Sequence, residues 1–190
     1  LDFIVETTVS EMHNLKDNLK WGDYQIGVML ELMKDGYDIC GCDLLYDDTV
    51  PHGGGLSSSA AIEVSTAICF ATFSNEKNGI KKELDMIEMA LISQRAEHNF
   101  IGVKCGIMDQ FASAMGKKDH AVYLNCATLE YEHISLKLDD CSIVLTNTNV
   151  KHSLGSSKYN ERRAECEEGF NALKTVLPDI TQLADITIEE

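Results

Sequence analysis

The chain has 190 residues, of which 44% are hydrophobic and 25% are charged, so it can bury a core as one domain or two small ones. Its 16 basic and 31 acidic residues leave a formal net charge of −15. This charge argues against a nucleic-acid partner or an anionic membrane surface, because both would be repelled over most of the protein. Any phosphate group that the protein binds must be held locally, by backbone amides or by a metal ion.

The cysteines and the apolar runs of the sequence indicate the cellular compartment of the protein and whether it crosses a membrane. The seven cysteines are odd in number and contain no Cys-x-x-Cys pair, so neither a disulfide framework nor a zinc site is indicated. No apolar run approaches the roughly 20 residues that cross a bilayer, and the start lacks the features of a signal peptide. We expect a cytoplasmic protein with reduced thiols and no membrane partner. The sequence begins with Leu1 instead of Met, which favours excision from a longer protein.

Apolar periodicity predicts helices first and strands later. In chain order, the predicted elements are a helix over 10–36, a strand over 37–46, a helix over 53–73, a helix over 82–101, a short helix over 109–115, strands over 121–126, 131–136 and 141–147, and a helix over 157–177. The change from helices to strands lies near residues 117–120. It predicts one domain over 1–118 and the start of a second over 119–190.

The segment from Pro51 to Ala61 carries the clearest chemical signal. Three consecutive glycines, beginning at Gly53, let the backbone turn sharply and approach a ligand closely. The helix that follows points its unpaired amides and positive dipole end at the same place, which suits an anion. The segment is not a Walker loop, because Gly-Lys-Ser/Thr is absent. For a glycine triplet alone, a flexible loop with serine caps is an equal alternative.

Two carboxylates follow in consecutive elements. Glu97 is predicted near a helix end, and Asp109 follows a glycine-containing turn, so both can converge on one pocket. One carboxylate would then hold a metal ion while the other handles a proton. Read without further information, solvated helix charges are the commoner explanation of such a pair.

Three blocks of the sequence resemble a known family. The run from Gly53 to Ala61, with Leu56 before the serines, is similar to the second signature of the GHMP kinases, which surrounds the nucleotide phosphates. The blocks at 94–111 and 146–168 resemble the galactokinase branch of that family in residue identity and order. The resemblance extends from Trp21 to Glu168, which is most of the chain.

The resemblance implies an α/β (α+β) fold of two domains, with a mixed sheet plus helices, an incomplete second domain and an active site in the cleft between them. It also implies transfer of the γ-phosphoryl group of ATP to the anomeric hydroxyl of galactose, with Mg²⁺ as cofactor. The implied residues are Gly53, Gly54, Gly55, Leu56, Ser57, Ser58, Ser59 and Ala60 at the phosphates, Trp21 near the adenine, Ser59 and Glu97 at Mg²⁺, Asp109 as acid-base residue, and Gly106, Asp109 and Tyr159 at the sugar. For Trp21 and Tyr159 a packing role is an equal alternative.

The chain also departs from the family. It contains neither the N-terminal sugar-binding motif nor the glycine-rich third motif, so we expect an internal fragment that cannot turn over by itself. A catalytically silent galactose- and ATP-binding regulatory protein is one alternative, and a kinase for a related sugar such as N-acetylgalactosamine is another. The presence of both Glu97 and Asp109 favours the kinase, since a sensor has no need of the catalytic carboxylate. The sequence contains no indication of a protein partner.

Overall fold

The computed structural model describes residues 4–14, 21–51, 54–147 and 156–186. Its regular elements within these ranges are α1 (Gly22–Lys34), α2 (Ser58–Lys77), α3 (Met86–Ala96), α4 (Met108–Met115), β1 (His120–Leu124), β2 (Tyr131–Ser135) and α5 (Ser156–Lys174). A π-helical turn, Glu97–Ile101, continues α3, and short 3-10 turns lie at Met12–Asn14 and Leu183–Asp185. In the described part of the chain, no helix is both long and apolar enough to span a membrane.

The main core lies between α1, α2 and α3, which pack against one another pairwise. Each helix presents an apolar stripe to the other two, and burying these stripes drives their association. The buried members are Met12, Ile26, Val28, Met29, Leu30, Leu32, Ala67, Phe70, Ala71, Met89, Ile92, Ala96 and Phe100.

Two glycines shape α1. At Gly27 an added Cβ would lie 3.0 Å from Cβ of Phe100, so glycine lets α1 approach the π-helical turn closely. At the other end Gly36 has a φ of 88° and ends the helix. The amide of Gly36 donates to the carbonyl of Met33 and that of Tyr37 donates to the carbonyl of Leu32, which is the Schellman pattern.

A smaller apolar cluster joins α4 to the sheet. Phe111 is fully buried in a cluster with Ala90 and Ile107, against which Val122 and Leu124 of the sheet pack. Its ring makes an edge-on contact with Tyr131 at 5.3 Å between ring centroids. Strands β1 and β2 pair antiparallel, with Leu124 opposite Tyr131. The apolar cluster therefore packs this sheet against α4, the helix that carries Asp109.

The structure corrects several sequence-based expectations. The first helix begins at Gly22 rather than at residue 10, and residues 15–20 lie outside the described ranges. Residues 37–46 and 141–147 were predicted to be strands, but neither segment is a strand in the structure, and no ladder in the described residues includes them. Extended conformation needs a hydrogen-bonded neighbour to become a strand, and only β1 and β2 provide one for each other there.

The sheet in the described residues is therefore a two-stranded antiparallel pair instead of the mixed sheet that we expected. The combination of helices with a β-sheet confirms the α+β class. The other predicted helices exist with boundaries shifted by up to five residues: α2 runs on to Lys77, and α3 begins at Met86.

Candidate active site

The start of α2 has an unusual backbone. Gly55 has a φ of 72°, and Ser57, the residue before the helix, has a φ of 58° in the left-handed region, where a side chain costs roughly 1 to 2 kcal/mol. The side chain of Ser57 makes no capping hydrogen bond. Because a helix leaves its first amides without internal partners, this uncapped start can offer them to an anion. Ser58 and Ser59 are half-buried here, whereas Ala60 is fully buried.

Glu97 lies where α3 changes into the π-helical turn. The amides of Gly102 and Val103 both donate to its carbonyl, at 2.9 and 3.1 Å, and Gly102 ends the turn with a φ of 86°. This wider turn leaves the Glu97 side chain only 9% exposed, beside the core rather than in solvent. Such π-helical insertions occur frequently at functional sites.

A buried hydrogen-bond network surrounds the Glu97 carboxylate. The Nε2 amide of Gln110 donates to Oε2 of Glu97 at 2.7 Å and to Oε2 of Glu63 at 3.1 Å. The Cys105 thiol donates to the same Oε2 of Glu97 at 3.2 Å. Both bonds to Glu97 therefore fall on one oxygen. Glu63 Oε1 and Gln110 Oε1 are buried and have no hydrogen-bond partner among the described residues.

The electrostatics of this network follow from burial. Loss of water raises the pKa of Glu63 to about 9, with a further rise from the charge of Glu97 and an opposing effect of the Gln110 hydrogen bond. Burial also raises the pKa of Glu97, against its hydrogen bonds from Cys105 and Gln110. The pKa of the Cys105 thiol rises to about 12 and that of Tyr24 to about 12, mainly by burial and then by the charge of Glu97. Glu63 is therefore neutral near pH 7.

Asp109 lies in the first turn of α4, one residue before Gln110, and is partly exposed. Its charge contributes to the raised pKa of Glu97, so the two carboxylates lie within interaction range. The turn that leads to Asp109 is held at the Cys105 carbonyl, which accepts from Gln94 Nε2 at 3.2 Å and from His98 Nε2 at 2.7 Å. A substrate can thus reach Asp109, while Gln110 on the same helix faces the interior.

Gly106 and Tyr159 also meet. The amide of Gly106 donates to the Tyr159 hydroxyl at 3.1 Å, and Tyr159 is 48% exposed. Asn160 strengthens this junction, because its side chain accepts from the Lys104 amide at 3.1 Å and donates to the Gly102 carbonyl at 2.8 Å. These bonds attach the first turns of α5 to the turn that precedes Asp109.

Trp21 precedes α1 and is 37% exposed. Its ring lies edge-on to Tyr46 with 6.3 Å between centroids, and the Tyr46 hydroxyl is 2.7 Å from Oγ1 of Thr66. Thr66 is about two helical turns beyond Ser59 along α2. The contacts of Trp21 therefore lead to the middle of α2. Gly53 lies outside the described residues, while Gly54 and Leu56 precede α2.

Sequence reasoning missed Glu63 and Gln110. The available signal was a polar residue at a core position: Glu63 lies three residues after Ala60 and four before Ala67, and both alanines are fully buried. Gln110 likewise precedes the fully buried Phe111. Polar residues at such positions need hydrogen-bond partners, so they point to a buried network.

The described residues also contain a cleft of about 300 Å³ near the far end of α2. It is lined by Tyr37, Asn78 and Glu83, among others. Since α2 has 20 residues, its two ends lie roughly 30 Å apart. The cleft is therefore remote from Ser59 and is not the candidate site.

Comparison with known proteins places this geometry in a family. The model of the GHMP kinase N-terminal domain matches residues 23–117. The galactokinase of Fusobacterium nucleatum subsp. nucleatum is 44% identical over 189 residues, which cover 98% of this chain and 46% of that protein. The galactokinase of Thermotoga petrophila is 45% identical over 163 residues, 86% of this chain and 45% of that protein.

A solved structure agrees with these relatives. A crystal structure of Lactococcus lactis galactokinase complexed with galactose superposes with a TM-score of 0.85 and 35% identity, covering 97% of this chain and 46% of that one. The chain thus spans less than half the length of each of these three galactokinases. The resemblance predicted from the glycine loop and the two later blocks is confirmed, and the chain belongs to the GHMP kinases.

Proposed function

We propose that this chain supplies the nucleotide-binding and catalytic residues of a galactokinase, which transfers the γ-phosphoryl group of ATP to the anomeric hydroxyl of galactose. The observation that carries the proposal is the 2.7 Å hydrogen bond from Gln110 to Glu97, because it brings the buried Glu97 beside the turn of α4 that carries the partly exposed Asp109. The likeness to proteins named galactokinase, one of them complexed with galactose, supports this choice of substrate.

The nucleotide phosphates would lie at the uncapped start of α2. We assign this role to Gly53, Gly54, Gly55, Leu56, Ser57, Ser58, Ser59 and Ala60. The left-handed backbone at Ser57 and the lack of a capping bond from its own side chain support the assignment, because the first-turn amides of α2 then remain available to an anion. Trp21 would lie near the adenine, and its 37% exposure leaves ring surface for stacking.

Ser59 and Glu97 fit a Mg²⁺ ion. Mg²⁺ prefers oxygen ligands and commonly takes one or two carboxylates together with substrate phosphates. The hydrogen bonds that Gln110 and Cys105 donate to Glu97 both end on Oε2, so Oε1 takes part in neither of them. Ser59 precedes Glu63 by one helical turn, so it lies on the face of α2 that Gln110 links to Glu97. When bound, Mg²⁺ would neutralise charge on the β and γ phosphates.

Asp109 would be the catalytic acid-base residue. It would orient the anomeric hydroxyl and take its proton as the new oxygen–phosphorus bond forms, while the bond to the departing ADP breaks. A carboxylate is a weak base for a sugar hydroxyl, so the proton moves late in this step. Gly106 and Tyr159 would contact the sugar, and their mutual hydrogen bond supports a common position beside Asp109.

Two further assignments belong to this proposal. A domain boundary near residue 118 would separate the helical part from the part that begins with β1. A cytoplasmic location suits an ATP-dependent enzyme, and the seven free cysteines fit a reducing compartment.

The test uses the full-length gene product. Each protein is incubated with Mg²⁺, ATP and either galactose or N-acetylgalactosamine. The proteins compared are the native form, Asp109→Asn and the matched control Asp140→Asn, which changes an exposed carboxylate. Phosphosugar is followed by mass. We expect galactose 1-phosphate from native protein and the control, with kcat about 100-fold lower or worse for Asp109→Asn. Galactose and ATP binding without phosphosugar would favour a regulatory protein, and preference for N-acetylgalactosamine would change the substrate.

A further inference from the structure

Glu63 is a buried carboxyl group that the proposed reaction does not use. Its side chain is 0% exposed on the core face of α2. A carboxyl group in such a place is costly, and an apolar side chain of similar volume commonly packs there at equal or better stability. Packing therefore does not account for a glutamate at this position.

The contacts of Glu63 lead to Glu97. Gln110 has one side-chain amide nitrogen with two hydrogens, and the structure directs it to Oε2 of Glu63 at 3.1 Å and to Oε2 of Glu97 at 2.7 Å. Two acceptors on different helical segments define the position of the amide more closely than either would alone. Removing the Glu63 acceptor would leave the amide held only by Glu97 and by the weaker contact with Cys105 Sγ at 3.7 Å. The position of the amide, and with it the orientation of Glu97, would then be less closely defined.

We propose that Glu63 is a positioning residue, which fixes the metal-binding carboxylate of Glu97 through the amide of Gln110. The inference rests on the proposed function, because it presumes that Glu97 holds a metal ion. Groups that orient metal ligands in this way commonly change metal affinity by 10- to 100-fold when they are removed.

The charge state of Glu63 suits this role. Burial keeps its carboxyl group neutral near pH 7. It therefore offers Gln110 a hydrogen-bond acceptor without placing a second negative charge beside Glu97. An ionised neighbour would compete for the cation and disturb the carboxylate that it is meant to hold.

The experiment measures metal affinity directly. Binding of Mn²⁺ in the presence of a non-hydrolysable ATP analogue is followed by electron paramagnetic resonance of the free ion, in the longest product of the gene. The variants are Glu63→Met, Glu63→Gln, Gln110→Met and the double variant Glu63→Met/Gln110→Met. Ser74→Ala is the matched control, because Ser74 is also buried on α2 but bonds to the amide of Asp38. Affinity for the analogue without metal is the second readout.

We expect Glu63→Met and Gln110→Met each to weaken Mn²⁺ binding about 10-fold, with no further loss in the double variant. Glu63→Gln, which keeps an acceptor oxygen, should stay within about twofold of native protein. Metal-free binding of the analogue by the variants should be unchanged. Mn²⁺ binding by Ser74→Ala should also be unchanged. If circular dichroism shows that Glu63→Met is unfolded, Gln110→Asn decides, since it keeps the amide but is one methylene too short to reach both carboxyl groups.

Two outcomes separate the inference from the function on which it rests. Native-like Mn²⁺ affinity in folded Glu63→Met, or losses that add in the double variant, would overturn the positioning role alone. Native protein that binds no Mn²⁺ with the nucleotide analogue would overturn the metal assignment of Glu97 and this inference with it.

Discussion

Glu63 should make the stability of the folded chain depend on pH in a window where most carboxyl groups no longer titrate. Burial raises its pKa to about 9 in the folded state, whereas an unfolded glutamate titrates near 4.3. Between these values the folded chain holds a proton at Glu63 that the unfolded chain has released. Stability from this group is therefore fully present at low pH and falls as the pH rises. Glu63→Gln has no such proton and should lose this dependence.

The size of the effect follows from one bound proton. A difference of one proton changes the free energy of unfolding by about 1.4 kcal/mol per pH unit, so the step from pH 6 to pH 8 amounts to about 3 kcal/mol. Glu97 titrates in the same direction but is present in both proteins. The difference between native protein and Glu63→Gln isolates the contribution of Glu63.

Urea unfolding followed by circular dichroism at pH 6, 7 and 8 measures this difference. Between pH 6 and pH 8, we expect the free energy of unfolding of Glu63→Gln to rise by about 3 kcal/mol relative to that of native protein. Glu76→Gln serves as the control, because Glu76 is an exposed position on the same helix. Its free energy of unfolding should change with pH as that of native protein does. Parallel curves for Glu63→Gln would mean that Glu63 is ionised in the folded chain, and would refute the reasoning.

Two further predictions concern packing and the sugar. Gly27→Ala should destabilise the chain by roughly 1 kcal/mol despite the better helix propensity of alanine, because its Cβ would press on Cβ of Phe100 at 3.0 Å. Thermal unfolding tests this against Gly41→Ala, where little change is expected because no atom of the described residues lies within 4 Å of the added Cβ. Tyr159→Phe removes the hydroxyl that accepts from Gly106 and should raise KM for galactose about fivefold with kcat nearly unchanged. Steady-state kinetics at varied galactose concentration tests this. An unchanged KM would mean that Tyr159 only attaches α5 to the turn at Gly106.

Local rules explain which elements could be predicted from the sequence. The helices α2, α3 and α4 and both strands of the sheet follow from apolar periodicity and glycine breaks, which act within a few residues. The strands predicted over 37–46 and 141–147 were wrong for a non-local reason. A strand exists only through hydrogen bonds to another segment, and its own residues do not specify whether that segment is present.

For the site, the sequence by itself determined the glycine loop before α2, the two carboxylates and the family to which they belong. Only the tertiary structure decided that Glu63 of α2, Glu97 of the π-helical turn and Gln110 of α4 meet in one buried network. Glu97 lies 13 positions and Glu63 47 positions from Gln110 along the chain, so their meeting depends on how three helical segments pack. Sequence periodicity marks Glu63 as a core position. The reason that a carboxyl group occupies it lies in a neighbour that packing alone brings within 3.1 Å.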